Sequence, residues 1–334
     1  FHHKNFKKLM KKIKNILIVG LGSIGSRHLK IIKELRPEIN INLLRRKESK
    51  GNNLEKSANK IFYDIKEALK ENLDAVIISS PSSMHINHAI NFLDLNIPIF
   101  IEKPISNNLE DCLKFKKLAE NKNSLILVGY VLRYSKILNE YKKLIKKNII
   151  GKHIYIDIKC SSFLPDWRKN IDYKKSVSGK HSLGGGVLLE LSHELDYANW
   201  LFGPIIELKA IRNNTKQLEI DVEDIVKIIA INKNKCLINI HLDFSSKIPK
   251  RYCLINGSKG FIKLDFIKNK ITSKLNIEKE IKSFNVESNY NEMYINQMEH
   301  FFKCIEQDMQ PAISLEESAE IMRMIDICKS SPLN

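Results

Sequence analysis

Residues 15–35, NILIVGLGSIGSRHLKIIKEL, decide the fold of this 334-residue chain. An apolar run ends at Val19 and is followed by Gly20, Gly22 and Gly25 in the spacing G-x-G-x-x-G. Apolar residues then recur at helical intervals from Leu29 to Leu35. The order strand, glycine turn, helix has a physical purpose. The first glycine makes the tight turn, the second lets backbone approach a pyrophosphate, and the third lets helix and strand pack closely. The helix N-terminus supplies N–H groups and the positive end of a dipole. The turn, including Ser23 and Ile24, is therefore a candidate dinucleotide-binding loop.

The same alternation continues outward from this unit. Short apolar runs recur at INLLRR (41–46), LDAVIISSP (73–81), IPIFIEKP (97–104) and SLILVGY (124–130), without the polar alternation of a half-exposed strand. Such runs are the pattern of parallel strands buried on both faces. Amphipathic stretches separate them, which predicts an α/β fold with a doubly wound parallel sheet over residues 13–134. Residues 135–334 read differently. HIYIDIKCSS (153–162), IIELKAIRN (205–213), DIVKIIAIN (224–232), KCLINIHLDF (235–244), RYCLINGS (251–258) and GFIKLDF (260–266) alternate with period two. That predicts a second α/β domain with a large open, mostly antiparallel sheet. One helix is expected at about 187–202, and two more at about 290–331 return towards the first domain. A cleft between two such domains is the expected place for ligands.

Composition narrows the class. At 43% hydrophobic and 28% charged the chain is globular, and its length calls for two cores. The net charge of +17 invites a nucleic-acid reading, but lysine supplies most of it and only nine residues are arginine. Basic residues do not interleave with aromatics, and no nucleic-acid motif appears, so no nucleic-acid partner is expected. Cys112, Cys160, Cys236, Cys253, Cys304 and Cys328 form no CxxC pair. That spacing predicts reduced thiols, a cytoplasmic location and no metal site. No apolar run approaches the roughly 20 residues of a membrane span. The basic stretch over residues 1–12 reads as a frayed tail, with Met10 a candidate natural start.

Specific side chains mark both walls of the cleft. In open α/β sheets ligands sit beyond the carboxyl ends of the strands, where Ser79, Ser80 and Pro81 lie and where IEKP (101–104) ends a wholly apolar run. Lys103 in a dry cleft donates to a substrate oxygen, and Glu102 reads as its positioning partner. An acid about twenty positions after the third glycine would hold the ribose of NAD. Arg45 and Arg46 stand there instead, which favours NADP, because guanidinium groups match a 2′-phosphate. In the second half, GGGVLLELSHELDYANWLFG (184–203) carries an apolar stripe of Leu188, Leu191, Leu195, Ala198 and Phe202. Glu190, His193 and Tyr197 fall on a different face. Histidine is the natural proton donor or acceptor near neutral pH, and Asp196 is placed to orient it or cap backbone.

GLGSIGSRH, SSPSSMH, IEKP, GYVLRY and GGGVLLELSHELD occur in the order typical of the Gfo/Idh/MocA family, and the resemblance covers nearly the whole chain. It implies NAD(P)-dependent oxidation or reduction of a hydroxyl or carbonyl carbon in a sugar, nucleotide sugar or polyol. It also implies a homodimer or homotetramer built through the open sheet. Carried over, Lys103 contacts the reacting hydroxyl and His193 is the general acid/base. His85 joins the cofactor-binding set through SSPSSMH. Family members usually have Asp four residues before the histidine, whereas this chain has Glu190 three before it, in a supporting role. The segment 163–176 resembles a branch found near surface-polysaccharide genes, which implies substrate contacts from Trp167, Arg168 and Tyr173, with Arg133 of GYVLRY beside them. Two rival activities share the motifs: an NAD-dependent glycoside hydrolase using transient oxidation, and a catalytically silent dinucleotide-binding sensor.

Overall fold

Strands β1 (Asn15–Val19), β2 (Asn40–Leu44), β3 (Lys60–Phe62), β4 (Ala75–Ile78), β5 (Ile99–Ile101) and β6 (Ile126–Val128) form one parallel sheet in the order β3-β2-β1-β4-β5-β6. This is a computed structural model, and it describes residues 12–49, 51, 53–168 and 171–334. The tail expected over residues 1–12 lies, Lys12 apart, outside the described residues. The strands bury both faces, as their unbroken apolar runs require. Ile16, Ile18, Ile77 and Phe100 face a core shared with α1 (Ser23–Leu35). Leu17, Val19, Val76 and Ile101 face the opposite core. There they meet Phe92 of α3 (His85–Leu93), which follows the one-turn α2 (Ile65–Ala68), and Phe115 of α4 (Leu109–Asn121). Each fully buried apolar side chain contributes about 1.5–3 kcal/mol. Strand β3 was not among the five runs expected, because three residues are too few to show a period.

Eight strands build the second sheet: β7 (His153–Phe163), β8 (Ile205–Asn213), β9 (Ile225–Asn232), β10 (Leu237–Asp243), β11 (Ser245–Gly257), β12 (Gly260–Asp265), β13 (Lys270–Leu275) and β14 (Lys282–Asn285). Their order is β14-β13-β12-β11-β7-β10-β9-β8, with β7 and β10 parallel and the other pairs antiparallel. The last two exceed the six expected strands, since KITSKL and KSFN carry too few apolar residues to be recognised. Period two decides the faces. Ile156, Ile158, Ile238, Ile240, Cys253 and Ile255 are buried. Helices α5 (Lys136–Lys146), α6 (Val187–Glu190) and α7 (His193–Phe202) cover that side. Tyr155, Ile211, Ile229 and Leu237 stay exposed on the other.

The C-terminal helices go back to the first sheet. Phe301 and Phe302 of α8 (Glu292–Glu306) enter the α1 core, and α9 (Leu315–Ser330) packs on α4 and β8. A capping box starts α9: Ser314 accepts from the Glu317 N–H, and Glu317 accepts from the Ser314 N–H.

Candidate active site

One cavity of about 1120 Å3 lies beyond the carboxyl ends of β1, β4 and β5 and reaches α6, α7 and β11. A single drug-sized ligand needs ~300–1,000 Å3, so this cavity exceeds the need of one such ligand.

The glycine turn forms one end. Gly20 has φ +89°, a conformation that glycine adopts without cost. A Cβ on Gly25 would lie 2.2 Å from the Gly20 carbonyl oxygen and 2.6 Å from Ser79 Oγ, so helix and strand touch backbone to backbone there. A Cβ on Gly22 would meet nothing within 4 Å. That residue is the open side of the cradle, the side a pyrophosphate approaches. No side chain caps the N-terminus of α1 and no acid sits in its first turn, so its N–H groups suit an anion. The residues fit a dinucleotide. Ser79 Oγ bonds within the turn, 2.9 Å from the Gly20 carbonyl oxygen, and braces the cradle. Arg45, Arg46 and Lys47 line the cavity after β2, with Arg45 ion-paired to Glu55. Arg27 lies over the rings of Tyr294 and Tyr290, 4.3 and 5.2 Å from their centroids, at the same end.

The strand ends are tied together by histidines. His28 of α1 bonds Glu102 at 2.6 Å in full burial, and the second carboxylate oxygen accepts the Lys103 N–H at 3.2 Å. His85 stands between the Pro104 and Ser80 carbonyl oxygens, 2.9 and 2.7 Å away, and burial lowers its pKa below 6.5. It fixes the β4 and β5 loops to each other beside the cis Lys103–Pro104 peptide. Ser80 Oγ bonds His88 Nδ1 at 2.9 Å. Ser80, Pro81, His85 and Glu102 all line the cavity.

The opposite wall depends on a broken helix. The single helix expected over 187–202 is two, α6 and α7, interrupted at Leu191 and Ser192. In a continuous helix the Glu194 N–H would bond the Glu190 carbonyl. Here it bonds Leu191 instead, at 3.2 Å, and the released Glu190 carbonyl accepts from Lys103 Nζ at 2.6 Å. The Glu190 carboxylate is 4.0 Å from the same ammonium. His193 opens α7 and lines the cavity with Lys103. Its Nδ1 is buried without a partner, and its ring meets Tyr130 edge-on at 5.8 Å. Burial, then the charges of Lys103 and Arg251, hold its pKa well below 6.5. The imidazole is thus neutral near pH 7 and able to accept a proton.

Several expected placements need correction. Tyr197 does not share the cleft with His193. It lies one turn further along α7, fully buried, with its ring 5.7 Å from that of Phe266. Arg133 does not line the cavity, because its guanidinium is fully engaged behind α7. It bonds Asp196 at 2.6 and 3.1 Å, Glu317 at 2.6 Å and the Ala312 carbonyl at 3.3 Å. Asp196 accordingly serves Arg133 and not His193. Burial raises its carboxyl to about 6 against the pull of the guanidinium. Tyr173 packs on the core of the second half, outside the cavity lining. Trp167 and Arg168 do line the cavity, with Trp167 held by Nε1 to Ser162 Oγ at 2.8 Å.

Arg251 on β11 was missed, although a signal existed. In RYCLING, Cys253 and Ile255 point inward, so Arg251 shares their face. Arg27, Tyr290 and Tyr294 had no comparable signal, since the packing of α8 on α1 brings them together.

Parallel sheet, glycine cradle and two-walled cleft together define a dinucleotide-binding α/β protein with a second, ligand-facing sheet. Residues 14–130 match the oxidoreductase family with NAD-binding Rossmann fold, and residues 142–332 match its C-terminal alpha/beta domain. The chain belongs to this Gfo/Idh/MocA family. A 2,7-anhydro-N-acetylneuraminate hydratase of Mediterraneibacter gnavus is 27% identical over 263 residues, covering 74% of this chain and 66% of the relative. The matches span between about half and two-thirds of the first curated relatives' own length. Among solved structures, levoglucosan dehydrogenase with NADH and L-sorbose has a TM-score of 0.84 at 16% identity, covering 96% of this chain and 97% of that one. The WlbA dehydrogenase of Bordetella pertussis, with NADH and UDP-GlcNAcA, has a TM-score of 0.80 at 18% identity and covers 96% of each chain. Among the described residues no helix is long and apolar enough to cross a membrane.

Proposed function

We propose that this chain is an NAD(P)-dependent oxidoreductase acting on a CH–OH or carbonyl carbon of a sugar, nucleotide sugar or polyol. The observation that carries the reading is the meeting of Lys103, from the end of β5, and His193, from the start of α7, on one cavity that also opens on the glycine cradle. Gly20, Gly22, Ser23, Ile24, Ser80 and Pro81 would hold the cofactor, and when bound its nicotinamide accepts or returns a hydride. The protein supplies position and proton transfer. Lys103 Nζ has three donors, one of them on the Glu190 carbonyl, which leaves two for the substrate oxygen. His193, neutral and lining the same cavity, would take the hydroxyl proton in oxidation and return it in reduction. Glu190 orients Lys103 chiefly through its backbone carbonyl, so the usual aspartate is not required there.

The finer readings rest on less. A lean to NADP is supported by Arg46 and Lys47 at the cavity rim after β2, while Arg45 already has Glu55. Assembly as a homodimer or homotetramer through the open sheet is supported by its exposed Tyr155, Ile211, Ile229 and Leu237. A division near residue 134 and a cytoplasmic location are proposed with it, the latter because all six cysteines are free.

The test is turnover by the purified protein of a panel of sugars, nucleotide sugars and inositols with NAD+ and NADP+, read as formation of reduced nicotinamide. Tight NADH binding without turnover of any panel member in either direction would overturn the oxidoreductase reading. The hydratase relative supports a second reading, a net non-redox reaction with a cofactor that is recycled in place. Nicotinamide retained through gel filtration, with turnover that needs none added, would favour it.

A further inference from the structure

Arg251 is a guanidinium in a position that the sheet reserves for apolar side chains. It pairs across β11 and β7 with Cys160, and it shares its face with buried Cys253 and Ile255. A charge in such a place costs several kcal/mol unless it is paired and hydrogen-bonded. The pairing here is partial. Nε donates to Glu194 Oε1 at 2.8 Å, and Glu194 is fully buried. The Phe266 ring flanks the guanidinium carbon at 5.3 Å. Neither η nitrogen has a hydrogen-bond partner among the described residues, and Nη2 is buried in that state. The side chain is 24% exposed, with Nη2 buried without a partner and Nη1 outside the buried atoms.

Arg251 lines the same cavity as Lys103, His193 and Arg168, at the end away from the glycine cradle. Arg168 is exposed to that space and forms no ion pair among the described residues. Against the three cations stand Glu190, beside Lys103, Glu102, held by His28, and Glu194, behind Arg251. A pair of parallel N–H donors on a guanidinium matches the oxygens of a carboxylate or phosphate. We propose that Arg251, with Arg168 lining the same cavity, is the receptor for an oxyanion on the substrate, so that the sugar this site takes carries a carboxylate or a phosphate. This rests on the oxidoreductase reading and adds the substrate's charge to it. Glu194 anchors Arg251 through Nε, which leaves the Nη1 donors for the ligand. Trp167, on the same wall, offers an apolar face to the sugar ring.

The experiment uses matched probes against the full chain saturated with NADH: D-glucuronate against D-glucose, D-glucose 6-phosphate against D-glucose, and UDP-glucuronate against UDP-glucose. Kd is measured by calorimetry for wild type and for Arg251→Met. In wild type the anionic member of at least one pair binds about 10–100-fold tighter than its neutral counterpart, and Arg251→Met abolishes that ratio. The carboxylate and phosphate arms identify which oxyanion is meant. NADH affinity is the control for folding. Should Arg251→Met fail it because Glu194 is stranded, the double variant Arg251→Met/Glu194→Gln removes the lone carboxylate and is used in its place. No preference for any anionic member in wild type overturns the inference, as does a preference that survives the substitution. Turnover of neutral sugars with no anion preference defeats the inference alone. Absence of sugar binding and of turnover defeats the oxidoreductase reading as well.

Discussion

Two arginines flank helix α7, and two acids of that one helix hold them. Behind it, Arg133 places Nε, Nη1 and Nη2 on Asp196, Glu317 and the Ala312 carbonyl, tying the end of β6 to α7 and α9. In front of it, Arg251 gives only Nε to Glu194, leaves Nη2 buried without a partner, and lines the cavity. The residue types are the same and the sequence gives no reason to rank them. Saturation of donors separates them. A guanidinium whose donors are all matched within the chain is part of the frame, and one with unmatched donors beside a cavity is available to a ligand.

Four measurements test that division, in descending order of effect. The largest concerns His193, at the start of the helix that lies between the two arginines. His193→Asn should lower kcat about 10²–10⁴-fold on the true substrate, about 3–5 kcal/mol of barrier, with NADH affinity retained. A wild-type kcat would remove His193 from the reaction. Next, Arg133→Ala leaves Asp196 buried without its partner and should reduce stability by about 3–5 kcal/mol in urea unfolding. The double variant Arg251→Met/Glu194→Gln leaves no carboxylate stranded and should cost clearly less; a loss as large as that of Arg133→Ala would remove the contrast between the two arginines. Third, Arg133→Lys keeps the charge but loses the fork, so a smaller loss of about 1–3 kcal/mol is expected in the same assay. The smallest effect is a pH shift. His193 is held well below 6.5, and catalysis needs its neutral form. The value of kcat/KM should therefore stay level as pH falls through 6.5 and decline only further into acid. Arg251→Met removes one cation that opposes protonation, so its acid limb should move upward towards the ordinary histidine value. An unmoved limb would separate Arg251 from His193.

What was legible in the sequence is what short-range periodicity encodes. The unbroken apolar runs gave five of the six parallel strands, period two gave six of the eight strands of the open sheet, and G-x-G-x-x-G gave the cradle. Lys103 could be picked out because it ends an apolar strand, and strand ends face the cleft, whereas His193 was picked out by its residue type and its place on a helix face. Helical spacing failed at Leu191 and Ser192, whose apolar and small side chains fit a continuous helix as well as a broken one. That failure hid the Glu190 carbonyl.

The rest was decided by partners distant in the chain. Arg133 meets Asp196 63 residues away and Glu317 184 away, and Arg251 meets Glu194 57 away. Arg27 meets Asn291 and its neighbouring tyrosines across 264 residues. Local sequence fixes which face of an element a side chain leaves from, because φ, ψ and side-chain direction are local properties. Whether a charge found there is neutralised by the protein or left for a ligand depends on which groups the tertiary fold brings within about 3 Å of it.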